Sequence, residues 1–127
     1  ELYFVATDGA SYDIAKGNLL SDGGFTDDLV TELNSDATDS DPVPSADGLQ
    51  IFFSSNRLPD GGTGGDGDIW MATRSTLAST FGVPVRVAEL STSDDESPTW
   101  LASDGCIIYI NRATGGEQHI YRATRPN

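Results

Sequence analysis

Carboxylates are the chemistry-bearing residues of this chain, and they come in groups. Asp36, Asp39 and Asp41 fall close together in one short stretch, Asp94, Asp95 and Glu96 are consecutive, and Asp60 and Asp66 bracket a run of glycines. Grouped carboxylates can capture a basic partner or hold a cation, and when they do neither they serve as a solvated exterior. Little else in the sequence is reactive. His119 is the only histidine and Cys106 the only cysteine. A Gly-x-Ser-x-Gly elbow, a His/Cys metal cluster and a phosphate loop ending in Gly-Lys-Ser/Thr are all missing from the sequence, so catalysis has no candidate residues.

The charge balance narrows the partners. Seven basic residues against 20 acidic ones give a formal net charge of −13. Nucleic acid and anionic membrane surfaces are disfavoured, because both need clustered Lys and Arg. A basic protein partner fits. The segment 60 to 68, Asp-Gly-Gly-Thr-Gly-Gly-Asp-Gly-Asp, partly resembles the calcium-binding nonapeptide Gly-Gly-x-Gly-x-Asp. Calcium needs six to eight oxygens, and such repeats supply them between stacked turns. Only one copy is present and Asp68 falls where that motif wants an apolar residue, so the segment reads as a flexible hairpin loop and no cofactor is assigned, calcium being the sole alternative.

What positions these acids is a repeated phrase. The central copy runs Asp47-Gly48, an apolar stretch with Ile51-Phe52-Phe53, a Gly-rich stretch, then Asp68-Ile69-Trp70 and Arg74. The last copy runs Asp104-Gly105, Ile108-Tyr109-Ile110, a shorter Gly-containing stretch, then His119-Ile120-Tyr121 and Arg125. The first copy starts at Leu2-Tyr3-Phe4 and continues to Asp13-Ile14-Ala15-Lys16. Asp47 to Asp104 is a shift of 57, Ile14 to Ile69 of 55 and Ile69 to Ile120 of 51, with the differences falling in the loop before the Asp-Ile or His-Ile step. A period of roughly 50 with variable loops suits four short strands per repeat.

Within one repeat, residues 42 to 46 predict a strand a and Asp47-Gly48 a tight turn. Leu49 to Ser55 predict strand b, residues 57 to 67 a loop, Asp68 to Arg74 strand c, and Val83 to Leu90 an edge strand d that contains Pro84. Leu49, Ile51 and Phe53 point one way in strand b and Phe52 the other, so both faces carry apolar residues, which predicts a sheet packed between two neighbours. The chain then divides into strands b-c-d over 1–33, a-b-c-d over 34–90 and a-b-c over 91–127. The fold class is all-β: a β-propeller segment of about two and a half four-stranded antiparallel blades. A propeller needs at least four blades to close. The remaining blades are expected from a longer chain or from other copies, the longer chain being favoured.

These residues resemble the TolB-type β-propeller repeat, a relative of the tryptophan-aspartate propeller repeats. The matching pattern is Asp-x-x-Pro, Ser-x-Asp-Gly, an apolar strand, Ser-x-Arg, a Gly-rich loop and Asp-Ile-aromatic. It is carried by Asp39 to Pro42, Ser45 to Gly48, Ser54 to Arg57, Gly61 to Gly65 and Asp68-Ile69-Trp70, and again by Asp95 to Pro98, Ser103 to Gly105, Asn111-Arg112, Gly115-Gly116 and Ile120-Tyr121. His119 departs from it, standing where the pattern has Asp. The resemblance implies a six- or seven-bladed ring, a binding platform, and a periplasmic, cell-surface or secreted location. It also admits a gating domain on a larger serine peptidase.

Several roles follow. Asp47, Gly48, Asp104 and Gly105 are turn residues, with Asp accepting nearby backbone N–H groups and Gly supplying positive φ. Trp70 and Tyr121 are repeat-defining aromatics of strand c. Asp13 and Asp68 anchor the loop before strand c, or pair with Arg57. Arg57, Arg74, Arg112 and Arg125 pair with acidic loop residues, worth ~0 to 1 kcal/mol for each exposed pair. Cys106, in an apolar run, reads as a buried thiol. Asp36, Asp39, Asp41, Asp94, Asp95 and Glu96 fall in d-to-a loops, which emerge on the same side as the b-to-c loops bearing Asp60 and Asp66. The expectation is an acidic loop face that binds a protein partner without catalysis. The alternatives are a propeller domain of a larger hydrolase and a self-assembling structural subunit.

Overall fold

The computed structural model of the protein describes residues 1–7 and 9–125. Ten strands, among the described residues, build three antiparallel sheets. The first sheet holds β1 (Leu2–Thr7), β2 (Tyr12–Gly17) and β3 (Asp28–Leu29). The central sheet holds β4 (Asp39–Pro44), β5 (Gln50–Arg57), β6 (Thr63–Thr73) and β7 (Val85–Arg86). The third holds β8 (Asp95–Leu101), β9 (Ile107–Thr114) and β10 (Glu117–Thr124). In each sheet, strands adjacent in sequence are neighbours in space. No α-helix occurs among the described residues; a short 3-10 turn covers Ala88–Leu90.

The Asp-Gly turns set the hairpins. Gly48 and Gly105 have φ of 69° and 68°, a left-handed backbone that glycine adopts without a Cβ penalty. Asp47 accepts hydrogen bonds from the Ser45 hydroxyl at 2.6 Å and the Leu49 amide at 3.0 Å, and Asp104 accepts the Cys106 amide at 2.9 Å. The next hairpins, β1–β2, β5–β6 and β9–β10, are joined by turns of different length yet share one register. Val5 faces Ile14 in the first sheet, Ser54 faces Ile69 in the central one and Asn111 faces Ile120 in the third. Two residues along, the pairs are Tyr3 with Lys16, Phe52 with Met71 and Tyr109 with Arg122.

Alternation along β5 sends its side chains into two seams. Ile51 and Phe53 join Trp70, Ala72 and Phe81 against Ile14, Val30, Leu33 and Tyr3 of the first sheet's segment. Phe52 joins Ile69, Val87 and Leu90 against Leu101, Ile108, Ile110 and Ala123 of the third sheet. The central sheet is therefore apolar and covered on both faces, as its sequence predicts.

Several boundaries differ from the sequence expectation. Strand a of the central repeat starts at Asp39 rather than 42, because Asp39 and Ser40 pair with Ser55 and Ser54 ahead of a bulge. The Gly-rich loop is mostly strand: β6 begins at Thr63, which pairs with Arg57 across a second irregularity. Glycines permit this. Gly64 takes a left-handed φ of 89°, and a Cβ on Gly65 would lie 3.0 Å from Leu58 Cδ2, so the Leu58 side chain would have to give way. The turn itself shrinks to Leu58–Gly62, closed by Leu58 N–H to Gly62 O at 2.7 Å. Strand d, expected over 83 to 90, shortens to Val85–Arg86. Past Val87 the chain leaves the ladder and turns through Ala88–Leu90, putting Leu90 into the second seam. Cys106 is half-buried rather than buried, because it sits in the turn ahead of β9.

Candidate functional site: an acidic cleft above two buried ion pairs

The acids expected on one exposed face divide into two classes. Asp39 at the start of β4 and Glu96 in β8 are buried, at 0% and 1% exposure. Asp39 forms an ion pair with Nη2 of Arg57 and accepts the Ser35 amide at 2.8 Å and its hydroxyl at 2.9 Å. Arg57 also donates to Leu33 O and to Ser55 Oγ, and its guanidinium lies 5.3 Å from the Phe53 ring centre and 5.1 Å from that of Trp70. Glu96 repeats the device. It pairs with Arg112 Nε at 2.7 Å and accepts both the amide and the hydroxyl of Thr92, and Arg112 lies 4.6 Å from the Tyr121 ring centre.

Asp39 and Glu96 are thus corrected from ligand-facing to internal. A carboxylate leaves water only when hydrogen bonds and an opposite charge replace its hydration. Here a Ser or Thr four residues upstream and an Arg on the neighbouring strand do so. Those two spacings were the available signal. The Arg match is subtler than alignment suggests. Asp39 faces Ser55 and Glu96 faces Arg112 in the ladders, so Arg112 corresponds in register to Ser55. Arg57 comes from two residues further and reaches back over the bulge to the same acid.

Asp68 pairs with Arg86 rather than Arg57, through two contacts of 2.6 and 2.8 Å. Arg86 answers the acid from the edge strand β7, a partner the sequence reading did not assign. His119, where the repeat has that Asp, lies 3.7 Å from Glu117. Arg74 pairs with Glu1 at 2.8 Å and lies 4.6 Å from the Phe81 ring centre. Trp70 fills the first seam, whereas Tyr121 stays exposed beside Arg112.

The remaining acids do reach solvent. Asp36, Asp41, Asp60, Asp66 and Asp95 are exposed and Asp94 is half-buried. Asp60 caps the Gly62 amide at 3.2 Å and Asp94 accepts the Thr114 hydroxyl at 2.8 Å. Asp95 accepts the Gly67 amide at 2.7 Å, tying the third sheet to the Gly-rich start of β6. Asp41 holds a left-handed φ of 52°, which Asp tolerates better than most side chains.

Of these, Asp41 and Asp95 are brought to one place. They line a cleft of about 360 Å³ to which all three sheets contribute, with Tyr12, Asn56, Asn111 and Gln118 around it. Glu96 also borders the cleft, but Arg112 answers its charge. Neither Lys nor Arg is among the lining residues, so Asp41 and Asp95 have no cation beside them there. Asp36, Asp60, Asp66 and Asp94 lie outside the lining. Among the described residues no group of three or more His, Cys, Asp or Glu side chains is placed to hold a metal ion. In the segment with nonapeptide character, Asp60 and Asp68 are engaged as above by Gly62 and Arg86.

A second cleft, of about 400 Å³ and mainly apolar, opens at the other end of the second seam between Phe52, Met71, Leu90, Cys106 and Ala123. No helix is long and apolar enough to cross a membrane. No model of a known protein family matches the chain, and no curated protein matches it.

Proposed function

We propose that the protein is a non-enzymatic binding or scaffold module, a segment of a TolB-type β-propeller whose polar cleft takes a basic segment of a protein partner. The architectural half of this reading is supported by three sheets with one register, joined by two apolar seams that use equivalent register positions. The family resemblance extends it to a periplasmic, cell-surface or secreted setting. The observation that carries the binding half is the pair Asp41 and Asp95 in a cleft with no lining Lys or Arg. Two uncompensated carboxylates between polar walls favour a cationic occupant. With the chain's overall charge they also speed its encounter at low salt.

Titration of a fluorescent lysine-rich peptide, followed by anisotropy, tests the reading. Wild type should bind, and affinity should fall as salt rises. The double variant D41N/D95N should bind at least tenfold more weakly, while D36N/D60N should bind nearly as wild type. Equal loss in both variants would indicate diffuse charge attraction, and unchanged binding by D41N/D95N would end the assignment to the cleft. Reversing Asp39 is unsuitable, because it attacks the fold.

A further inference from the structure

Comparing the sheets with one another separates what the fold requires from what it leaves open. Positions that build the fold keep their chemistry from copy to copy. Ile14, Ile69 and Ile120 share one register position, and so do the buried acids Asp39 and Glu96. Positions that line the polar cleft do not. Tyr12 and Gly67, each two residues ahead of its Ile, differ in kind, as do Thr38 and Asp95, each one residue ahead of its buried acid. Neither Tyr12 nor Asp95 is therefore demanded by the repeat, and both are exposed.

Each acid of the cleft is held through one oxygen. Asp41 Oδ2 accepts the Ser40 hydroxyl at 3.2 Å, and Asp95 Oδ1 accepts the Gly67 amide at 2.7 Å. These bonds fix the two carboxylates and leave the other oxygen of each to a ligand. Asp41 stands on β4 and Asp95 on β8, so the two acceptors come from different sheets. A guanidinium spreads its N–H donors around a planar fork, whereas an ammonium gathers them on one nitrogen. Acceptors on two walls therefore suit the guanidinium better.

The chain's own arginines show how a guanidinium is held in this fold, with an acid at its edge and a ring against its face. Arg57 pairs with Asp39 and lies 5.1 Å from the Trp70 ring centre, and Arg112 pairs with Glu96 and lies 4.6 Å from that of Tyr121. Arg74 pairs with Glu1 and lies 4.6 Å from the Phe81 ring centre. The cleft offers the same two components, the carboxylates of Asp41 and Asp95 and the ring of Tyr12, with no arginine of the chain among its lining residues.

We propose that the basic residue taken by the cleft is an arginine, its guanidinium bridging Asp41 and Asp95 and stacked on the Tyr12 ring. This rests on the basic-segment reading and narrows it from any cation to one side chain.

Anisotropy titrations at low salt with three labelled peptides test it: the lysine-rich peptide, the same sequence with arginine at each lysine, and the same sequence with citrulline, which keeps the shape of arginine without its charge. Wild type should bind the arginine peptide about tenfold more tightly than the lysine peptide, because forked donors and ring stacking both favour a guanidinium. The citrulline peptide should bind far more weakly than either. Y12L should bring the arginine peptide down to the lysine level and leave the lysine peptide unchanged, while Y12F should keep the preference. Tyr12 is 52% exposed, and unchanged melting will show that both variants fold. Equal affinity of wild type for the arginine and lysine peptides, or a preference that survives Y12L, would overturn this proposal and leave the basic-segment reading standing. Failure of both charged peptides to bind, or citrulline binding as tightly as arginine, would overturn the two together.

Discussion

The first seam is the better filled of the two. Phe53, Trp70 and Phe81 line it, and Phe81 closes its end over Arg74, which Glu1 neutralises. The second seam has Ile110 in place of Phe53 and Tyr121, 42% exposed, in place of Trp70. Its buried acid pairs with an Arg that is 20% exposed, against 11% for the Arg of the first seam. One interface design thus yields two strengths, and the difference lies in aromatic volume and in how completely the ion pair is enclosed.

The largest effect should come from the first ion pair. Asp39→Asn leaves Arg57 buried without its countercharge and should cost about 3–5 kcal/mol. Glu96→Gln should cost less, since Arg112 can recover part of its hydration. Urea unfolding of the two variants decides this, and equal losses would erase the distinction. Phe81→Ala should cost about 3 kcal/mol or more by opening a cavity beside Tyr3 and Arg74. Ile110→Val, in the looser seam, should cost about 1 kcal/mol. The turns should differ in the same direction. Gly48→Ala forces a left-handed backbone, at about 1–2 kcal/mol, and puts its Cβ 2.8 Å from Leu77 Cδ2. At Gly105 the nearest atom would be Arg125 Nη2 at 3.7 Å, so Gly105→Ala should be milder in thermal melts.

The smallest effect is in pH. The hydrogen bond from Arg74 holds the Glu1 carboxyl below its usual 4.5, against a partial opposing effect of burial. The Ser45 hydroxyl holds Asp47 below its usual 3.8. Depressed acids stabilise the fold above their unfolded values and lose that contribution as pH falls through their folded ones. The urea midpoint should therefore decline as pH drops below about 4.5. Glu1→Gln should remove the part of that decline belonging to the first seam and leave the Asp47 part.

Local rules made much of the fold legible. The Asp-Gly turns, the strand order and the two-sided burial of Ile51, Phe52 and Phe53 follow from alternation and turn chemistry. The fate of the acids did not, because it depends on strand pairing. Asp39 looks like Asp36 and Asp41 until β4 lies beside β5 and brings Arg57, eighteen residues on, to its carboxylate. The Gly-rich stretch misled for a related reason. Glycine marks a loop by propensity, yet here the strand itself takes a left-handed φ of 89° at Gly64, which glycine adopts without a Cβ penalty. The cleft was illegible because its walls come from three sheets, and of eight candidate acids only Asp41 and Asp95 line it without an ion-pair partner.

Native-state hydrogen exchange, at a concentration where the chain is monomeric, tests most directly whether one interface is used on both faces of the central sheet and on one face of each outer sheet. The amides of Ile51–Ser55 and Ile69–Ala72 should exchange slowest, close to the global unfolding limit, with those of β1 and β10 faster. Protection of β10 equal to that of β5 and β6, or rapid exchange throughout the central sheet, would contradict the account.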